Sequence, residues 1–150
     1  SGIILSAKAG ALRKMLPAFL AGAGGPIGGG EQWMSWLSFD DYLGIVYWLL
    51  FADGSEPPSG EPLVINATSP QPVRNRAFVK TLGKVLRRPA VAPLPAAAVR
   101  ALFGEMGVQT LLYSQRAQPK RLQDAGFRFL YPRLEDALRL ELGRLRAGGA

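Results

Sequence analysis

A chain of 150 residues with 48% apolar content can enclose one ordinary core, so a single domain is expected. It contains no cysteine and no histidine, which excludes disulfide staples, thiol nucleophiles, imidazole bases and the usual zinc ligand sets. The net charge of +7 is unevenly placed, with eleven Lys or Arg residues between Arg74 and Arg128 against only Glu105 and Asp124.

Gly2 to Ser6 reads as a short apolar strand that is already under way at the first residues. Ala9 to Ala21 is an amphipathic helix expected to bend or restart at Pro17, whose missing N–H and bulky ring oppose continuation. Gly22 to Gly30 is a flexible glycine-rich loop. From Gln32 to Leu37 a strand is expected, with Trp33, Ser35 and Leu37 on one side and Gln32, Met34 and Trp36 on the other. Ser38 has the chemistry of a helix N-cap, and Asp40 and Asp41 in the first turn complement the positive end of the helix dipole. That capping role suffices for the two acids, which point about 100° apart and make no catalytic dyad.

The helix of Phe39 to Phe51 is apolar around its circumference, with Leu43, Val46, Tyr47 and Leu50 on one face and Ile45, Trp48 and Leu49 on the other. Burial on both sides is expected, with Trp48 packed in the core. Asp53 to Pro62 is a Pro- and Gly-rich loop, and Leu63 to Ala67 reads as an interior strand of a mostly parallel sheet, ending near Asn66. After a turn at Ser69 to Pro72 comes a basic amphipathic helix from Asn75 to Leu86. Pro89 to Pro95 is extended, Ala96 to Phe103 is a short helix and Gln109 to Gln118 is a polar segment. Phe127, Phe129 and Tyr131 mark an alternating strand, and Pro132 starts a terminal helix along Leu134, Leu138, Leu142 and Leu145.

Arg76, Lys80, Lys84 and Arg87 recur every three or four residues opposite Phe78, Val79, Leu82, Val85 and Leu86, so the basic stripe reads as a solvated helix face. No docking motif for nucleic acid accompanies it, and no nucleic-acid partner is expected. No apolar run reaches the length of about twenty residues that spans a bilayer, and no secretory signal is visible, so a soluble cytoplasmic protein is expected, without a membrane partner. The Asn66-Ala67-Thr68 triplet is then an accidental glycosylation motif. The glycine run has Ile27 where a dinucleotide fingerprint needs its third glycine, and it follows a helix rather than a strand. No metal site is expected.

Strands alternating with helices indicate an α/β layer structure, yet the three or four strands are too few for a complete doubly wound sheet. Several ordered motifs carry a resemblance over essentially the whole chain: Gly2-Ile3-Ile4-Leu5-Ser6, Gly24-Gly25-Pro26-Ile27-Gly28, Gln32-Trp33-Met34-Ser35-Trp36, Asn66-Ala67-Thr68-Ser69-Pro70 through Asn75, and Gly126-Phe127-Arg128-Phe129. Together they resemble the C-terminal half of a bacterial NAD(P)-dependent epimerase-like family, a branch of the extended or atypical short-chain dehydrogenase/reductase superfamily, including its characteristic C-terminal segment. The resemblance implies the last sheet strands of a Rossmann-like fold plus a small helical substrate-side subdomain.

It also implies an N-terminal half with a Gly-rich cofactor loop and a Tyr-x-x-x-Lys proton-transfer pair. Four residues after its tyrosines this chain has Val46, Phe51, Ala117 and Glu135, so that pair is lacking. No catalytic residue is therefore assigned, and the chain alone is expected to be inactive. NADP or NAD is the cofactor implied for the parent enzyme, with none expected for this chain alone. The expected partners are the N-terminal half and a small-molecule substrate, a nucleotide sugar among the options, with homo-oligomerisation left open. Family analogy nominates Ser6, Lys14, Gln32, Trp33, Trp36 and Asn66 as substrate-binding residues. The implied function is the substrate-recognition part of an NAD(P)-dependent oxidoreductase or sugar-nucleotide epimerase-like enzyme. The alternative is a free-standing binding or oligomerisation module.

Overall fold

The computed structural model describes residues 1–52 and 63–144, so the Asp53 to Pro62 loop and Leu145 lie outside the described residues. The elements in chain order are β1 (Ile3–Leu5), α1 (Gly10–Leu20), β2 (Trp33–Met34), β3 (Trp36–Ser38), α2 (Phe39–Phe51), β4 (Val73–Arg74), α3 (Asn75–Leu86), α4 (Ala96–Gly107), a π turn (Val108–Leu112), α5 (Lys120–Asp124) and α6 (Leu134–Glu141). β1 and β3 run parallel, with Ile3 opposite Trp36 and Leu5 opposite Ser38. β2 pairs antiparallel with β4, Trp33 opposite Arg74. The fold is therefore α/β with two small sheets in place of one.

The strand expected from Gln32 to Leu37 changes partners at Ser35. Its carbonyl accepts the Ile3 N–H at 2.8 Å, while its hydroxyl donates to the Gln115 carbonyl and accepts from the Ala117 N–H, both at 2.9 Å. Alternation still decides which way the side chains go. Trp36 joins Leu5, Leu12, Phe19, Phe78, Leu82 and Leu138 in the main core, whereas Leu37 joins Ile45 and Leu122 in a second one. The β1–β3 pair is thus the wall between two apolar clusters.

Two expected strands are absent. Leu63 to Ala67 makes no ladder: within that stretch one bond, Gly2 N–H to the Ala67 carbonyl at 2.9 Å, ties it to β1, and Leu63, Val64 and Asn66 are exposed. An interior strand needs neighbours on both edges, and here β3 occupies the other edge of β1. The Phe127 to Tyr131 run is likewise irregular, because its amides at Leu130 and Tyr131 are taken by the Asp41 carboxylate at 2.6 and 3.0 Å instead of a strand. Its rings still pack inward, Phe127 edge-on to both Trp48 and Phe129.

α1 passes through Pro17 without a break. α2 begins as expected, with the Asp41 N–H donating to the Ser38 hydroxyl at 3.1 Å. Its burial differs from expectation. Asp41 and Ile45 are buried, Trp48 is half-buried, and Tyr47, Leu50 and Phe51 are about two-thirds exposed among the described residues. Apolar composition around a helix did not determine what covers it. Tyr47, Trp48 and Phe51 border, with Phe127 and Arg128, an open hollow of about 380 Å³. α4 continues past Phe103 but kinks at Gly104, whose φ of 67° lies in the left-handed region, and the expected polar segment opens as the π turn. The terminal helix starts at Leu134, two residues after Pro132.

The outer face of α3 carries the basic stripe, but two of its charges are paired: Arg76 with Glu31, and Lys84 with Glu135 on α6 at 2.8 Å. Hydrogen bonds from Lys84 and Arg139 lower the Glu135 pKa from 4.5 to about 2. A carboxylate shifted down stabilises the fold above its unfolded pKa and loses that contribution as pH falls through the folded one, here between 4.5 and about 2. Lys84→Gln is expected to cost about 0.5 kcal/mol at neutral pH, with the difference from the parent protein fading in that acid window, whereas Lys80→Gln changes nothing measurable. Urea denaturation at a series of pH values checks this; equal effects of the two substitutions would show that the Lys84–Glu135 bridge contributes nothing.

Candidate functional site

Parallel strands end together, so the carboxyl ends of β1 and β3 form one crest from which the chain leaves as Ser6-Ala7-Lys8 on one side and enters α2 at Phe39 on the other. In α/β sheets the carboxyl edge is where ligands are received, because loops and helix N-termini converge there. Ser6 is half-buried at this crest, its hydroxyl accepting the Lys8 N–H at 3.2 Å. Glu141, the last residue of α6, lies at the same crest, close enough to the backbone of Ala7 and Phe39 for their amides to favour its charged form. Burial pushes its carboxyl above the ordinary range, helped by the negative charge of Asp40 and opposed by those two amides and Lys8.

Gln32 and Trp33 precede the amino end of β3, on the order of 20 Å along an extended chain from the level of Ser6. The Gln32 amide is committed to structure, donating to the carbonyls of Ile27 at 3.1 Å and Leu111 at 3.0 Å. Trp33 is half-buried, and the guanidinium carbons of Arg74 and Arg116 lie over its ring at 4.2 and 4.5 Å from the centroid. Trp36 is fully enclosed, with its indole N–H donating to the Gln71 carbonyl at 2.8 Å, so it offers no face to a ligand. Lys14 is exposed on α1, beside a 30 Å³ apolar crevice lined by Met15, Phe19, Ile27, Leu94 and Phe103. Asn66 is exposed and donates to the Gln118 carbonyl at 3.3 Å.

The six nominated residues therefore do not form one site. Gln32 and Trp33 are chain neighbours at the amino end of β3, and Ser6 stands at the opposite, carboxyl end of the β1–β3 pair. The sequence does not nominate Glu141 at the crest, or Arg74 and Arg116 on Trp33. For Arg74 a signal existed, since Val73-Arg74 is extended opposite Trp33-Met34, but the turn residues before it hid so short a strand. For Arg116 and Glu141 the contacts span 83 and 134 residues, beyond the reach of any local pattern.

The glycine-rich loop is not a free phosphate cradle. Part of its backbone is tied to residues 92–94: Ala92 N–H to the Gly24 carbonyl at 3.2 Å, Leu94 N–H to that of Pro26 at 2.8 Å, and Gly28 N–H to that of Leu94 at 3.1 Å. Ile27 N–H is held by the buried Asn75 side chain at 2.8 Å. Two amides of this loop, those of Ile27 and Gly28, are thus already bonded within the fold and are not free to cradle a pyrophosphate. Among the described residues no group of acidic side chains could hold a metal ion, and no helix is long and apolar enough to cross a membrane.

Residues 94–140, from the start of α4 through most of α6, match the family described as a domain of unknown function, DUF1731. The chain is 42% identical over 138 residues to the chloroplastic epimerase family protein SDR39U1 homolog of Arabidopsis thaliana, covering 92% of this chain and 38% of that protein. The crystal structure of human epimerase family protein SDR39U1 with NADPH superposes on 96% of this chain and 47% of its own with a TM-score of 0.82 at 34% identity. This chain corresponds to the C-terminal part of epimerase family proteins. A nucleoside-diphosphate sugar epimerase from Corynebacterium glutamicum shares the fold more distantly, with a TM-score of 0.60 at 28% identity over 95% of this chain and 25% of its own. The chain spans about two-fifths of the length of the Arabidopsis relative and about half that of the human chain.

Proposed function

We propose that this chain is the substrate-recognition part of an NADP-dependent enzyme, an oxidoreductase or a sugar-nucleotide epimerase. In this reading residues 1–150 form a single substrate-side portion, and the remainder of the protein supplies the dinucleotide fold and the proton-transfer residues. The observation that carries it is the crest at the carboxyl ends of β1 and β3, where Ser6 and the start of α2 face the position at which α/β sheets receive ligands. The human relative solved with NADPH supports NADP as the cofactor of the intact protein. The chain's own part is to bind and orient the substrate, since its glycine-rich loop is occupied by residues 92–94. We place the protein in the cytoplasm, with a small molecule and not a nucleic acid as its ligand; the pairing of Arg76 and Lys84 with carboxylates supports the latter.

Titration by NADPH fluorescence is the test. The intact protein is expected to bind in the micromolar range and the isolated 150 residues not at all, because the chain carries no Gly-rich dinucleotide fingerprint between a strand and a helix. Micromolar binding by the isolated chain, or none by the intact protein, would overturn the proposal.

A further inference from the structure

Trp33 sits between two segments that pair with its backbone on opposite edges. On one edge it is in register with Arg74 of β4. On the other, its N–H donates to the Ser114 hydroxyl and its carbonyl accepts the Gln115 N–H, both at 3.0 Å. This brings Arg116 across, so that two guanidinium groups rest on one indole, at 4.2 and 4.5 Å. Stacking fixes the plane of a guanidinium and leaves its N–H edge free to bond an anion.

Among the described residues neither arginine forms an ion pair. The acid next to Arg74 in space, Glu31, gives its carboxylate to Arg76 and offers Arg74 only its backbone carbonyl. Two cations held 4.2 and 4.5 Å from the same ring centroid have no carboxylate partner among the described residues, and a dianion reaching both guanidinium edges would neutralise them. We propose that Arg74, Trp33 and Arg116 form a binding site for a phosphoryl group, with Ser114 as a further donor. The Ser114 hydroxyl accepts from the Trp33 N–H and keeps its own proton to give. The guanidinium fork matches phosphate oxygens bidentately, and a phosphoryl dianion balances both cations where one carboxylate balances half. The assignment rests on the function proposed above only in calling the phosphoryl carrier a substrate.

Inorganic pyrophosphate titrated calorimetrically into the intact protein is the probe, alongside NADPH. Saturable pyrophosphate binding is expected, weakened about tenfold or more in Arg116→Gln and in Arg74→Gln, and weakened less in Arg116→Lys, which keeps the charge and loses the fork. Arg116 is exposed, and near-UV circular dichroism is expected to show an unchanged fold in its variants. NADPH affinity is expected to stay constant throughout. Absence of saturable pyrophosphate binding, or unchanged affinity in Arg116→Gln, would overturn the site. A parallel loss of NADPH affinity would overturn its assignment to the substrate. Failure of the parent protein to bind NADPH, with pyrophosphate binding intact, would instead count against the proposed enzyme and leave the site standing.

Discussion

Replacing Asp41 with alanine is expected to lower the unfolding free energy by about 3–4 kcal/mol, because its buried carboxylate satisfies three donors at once. One oxygen accepts the Leu130 N–H at 2.6 Å; the other accepts the Tyr131 N–H at 3.0 Å and the Ser38 hydroxyl at 2.7 Å. Removing the acceptor leaves donors that were desolvated on folding, each worth about 1 kcal/mol or more when orphaned. The cap itself survives, since Ser38 still accepts the residue 41 N–H. Asp41→Asn keeps the shape and one acceptor but aims an amide at donors, so about half of the loss is expected to remain. Chemical denaturation followed by circular dichroism measures both variants; a loss under about 1 kcal/mol for alanine would mean that water replaces the carboxylate.

The second large effect is expected at Gly25. A Cβ built there falls within the Ala92 carbonyl group, so alanine must push residues 92–94 away from the loop. Three hydrogen bonds and the Ile27–Leu94 bridge lie along that seam. Overpacking together with loss of part of the seam amounts to about 3 kcal/mol. Gly29, four residues on, has nothing within 4 Å of such a Cβ, and Gly29→Ala is expected to stay within about 0.5 kcal/mol of the parent. Thermal denaturation of the two variants side by side decides: equal transition temperatures would refute a packed loop.

Much of the secondary structure was legible because it rests on local chemistry. The Ser38 cap with its acidic first turn fixed the start of α2, and the 3.6-residue spacing of Phe78, Val79, Leu82, Val85 and Leu86 fixed the buried face of α3. Strands failed where the deciding partner is distant. The apolar run at Leu63 looks like an interior strand until β3 is seen on the far edge of β1, and the aromatic alternation at Phe127 is overridden by a carboxylate 89 residues away. The nominated residues scattered for the same reason. Trp36 and Trp33 are three residues apart and chemically alike, yet parallel pairing with β1 draws one into the core, while antiparallel pairing with β4 leaves the other at the surface beneath two arginines.

The ties that close this chain share a direction in time. Asp41 waits for Leu130, Ser35 for Gln115 some 80 residues later, and Lys84 for Glu135. A polypeptide made from its amino end at about 5–20 residues per second carries an unbonded Ser35 hydroxyl and an unbonded Asp41 for several seconds before residues 115–131 emerge. Loop closures of this length also slow spontaneous refolding. A ribosome stalled before Ser114 is then expected to present a nascent chain in which Ser35 and Asp41 lack these partners, and in which α2 and β3 are cut faster by a protease than in the finished protein.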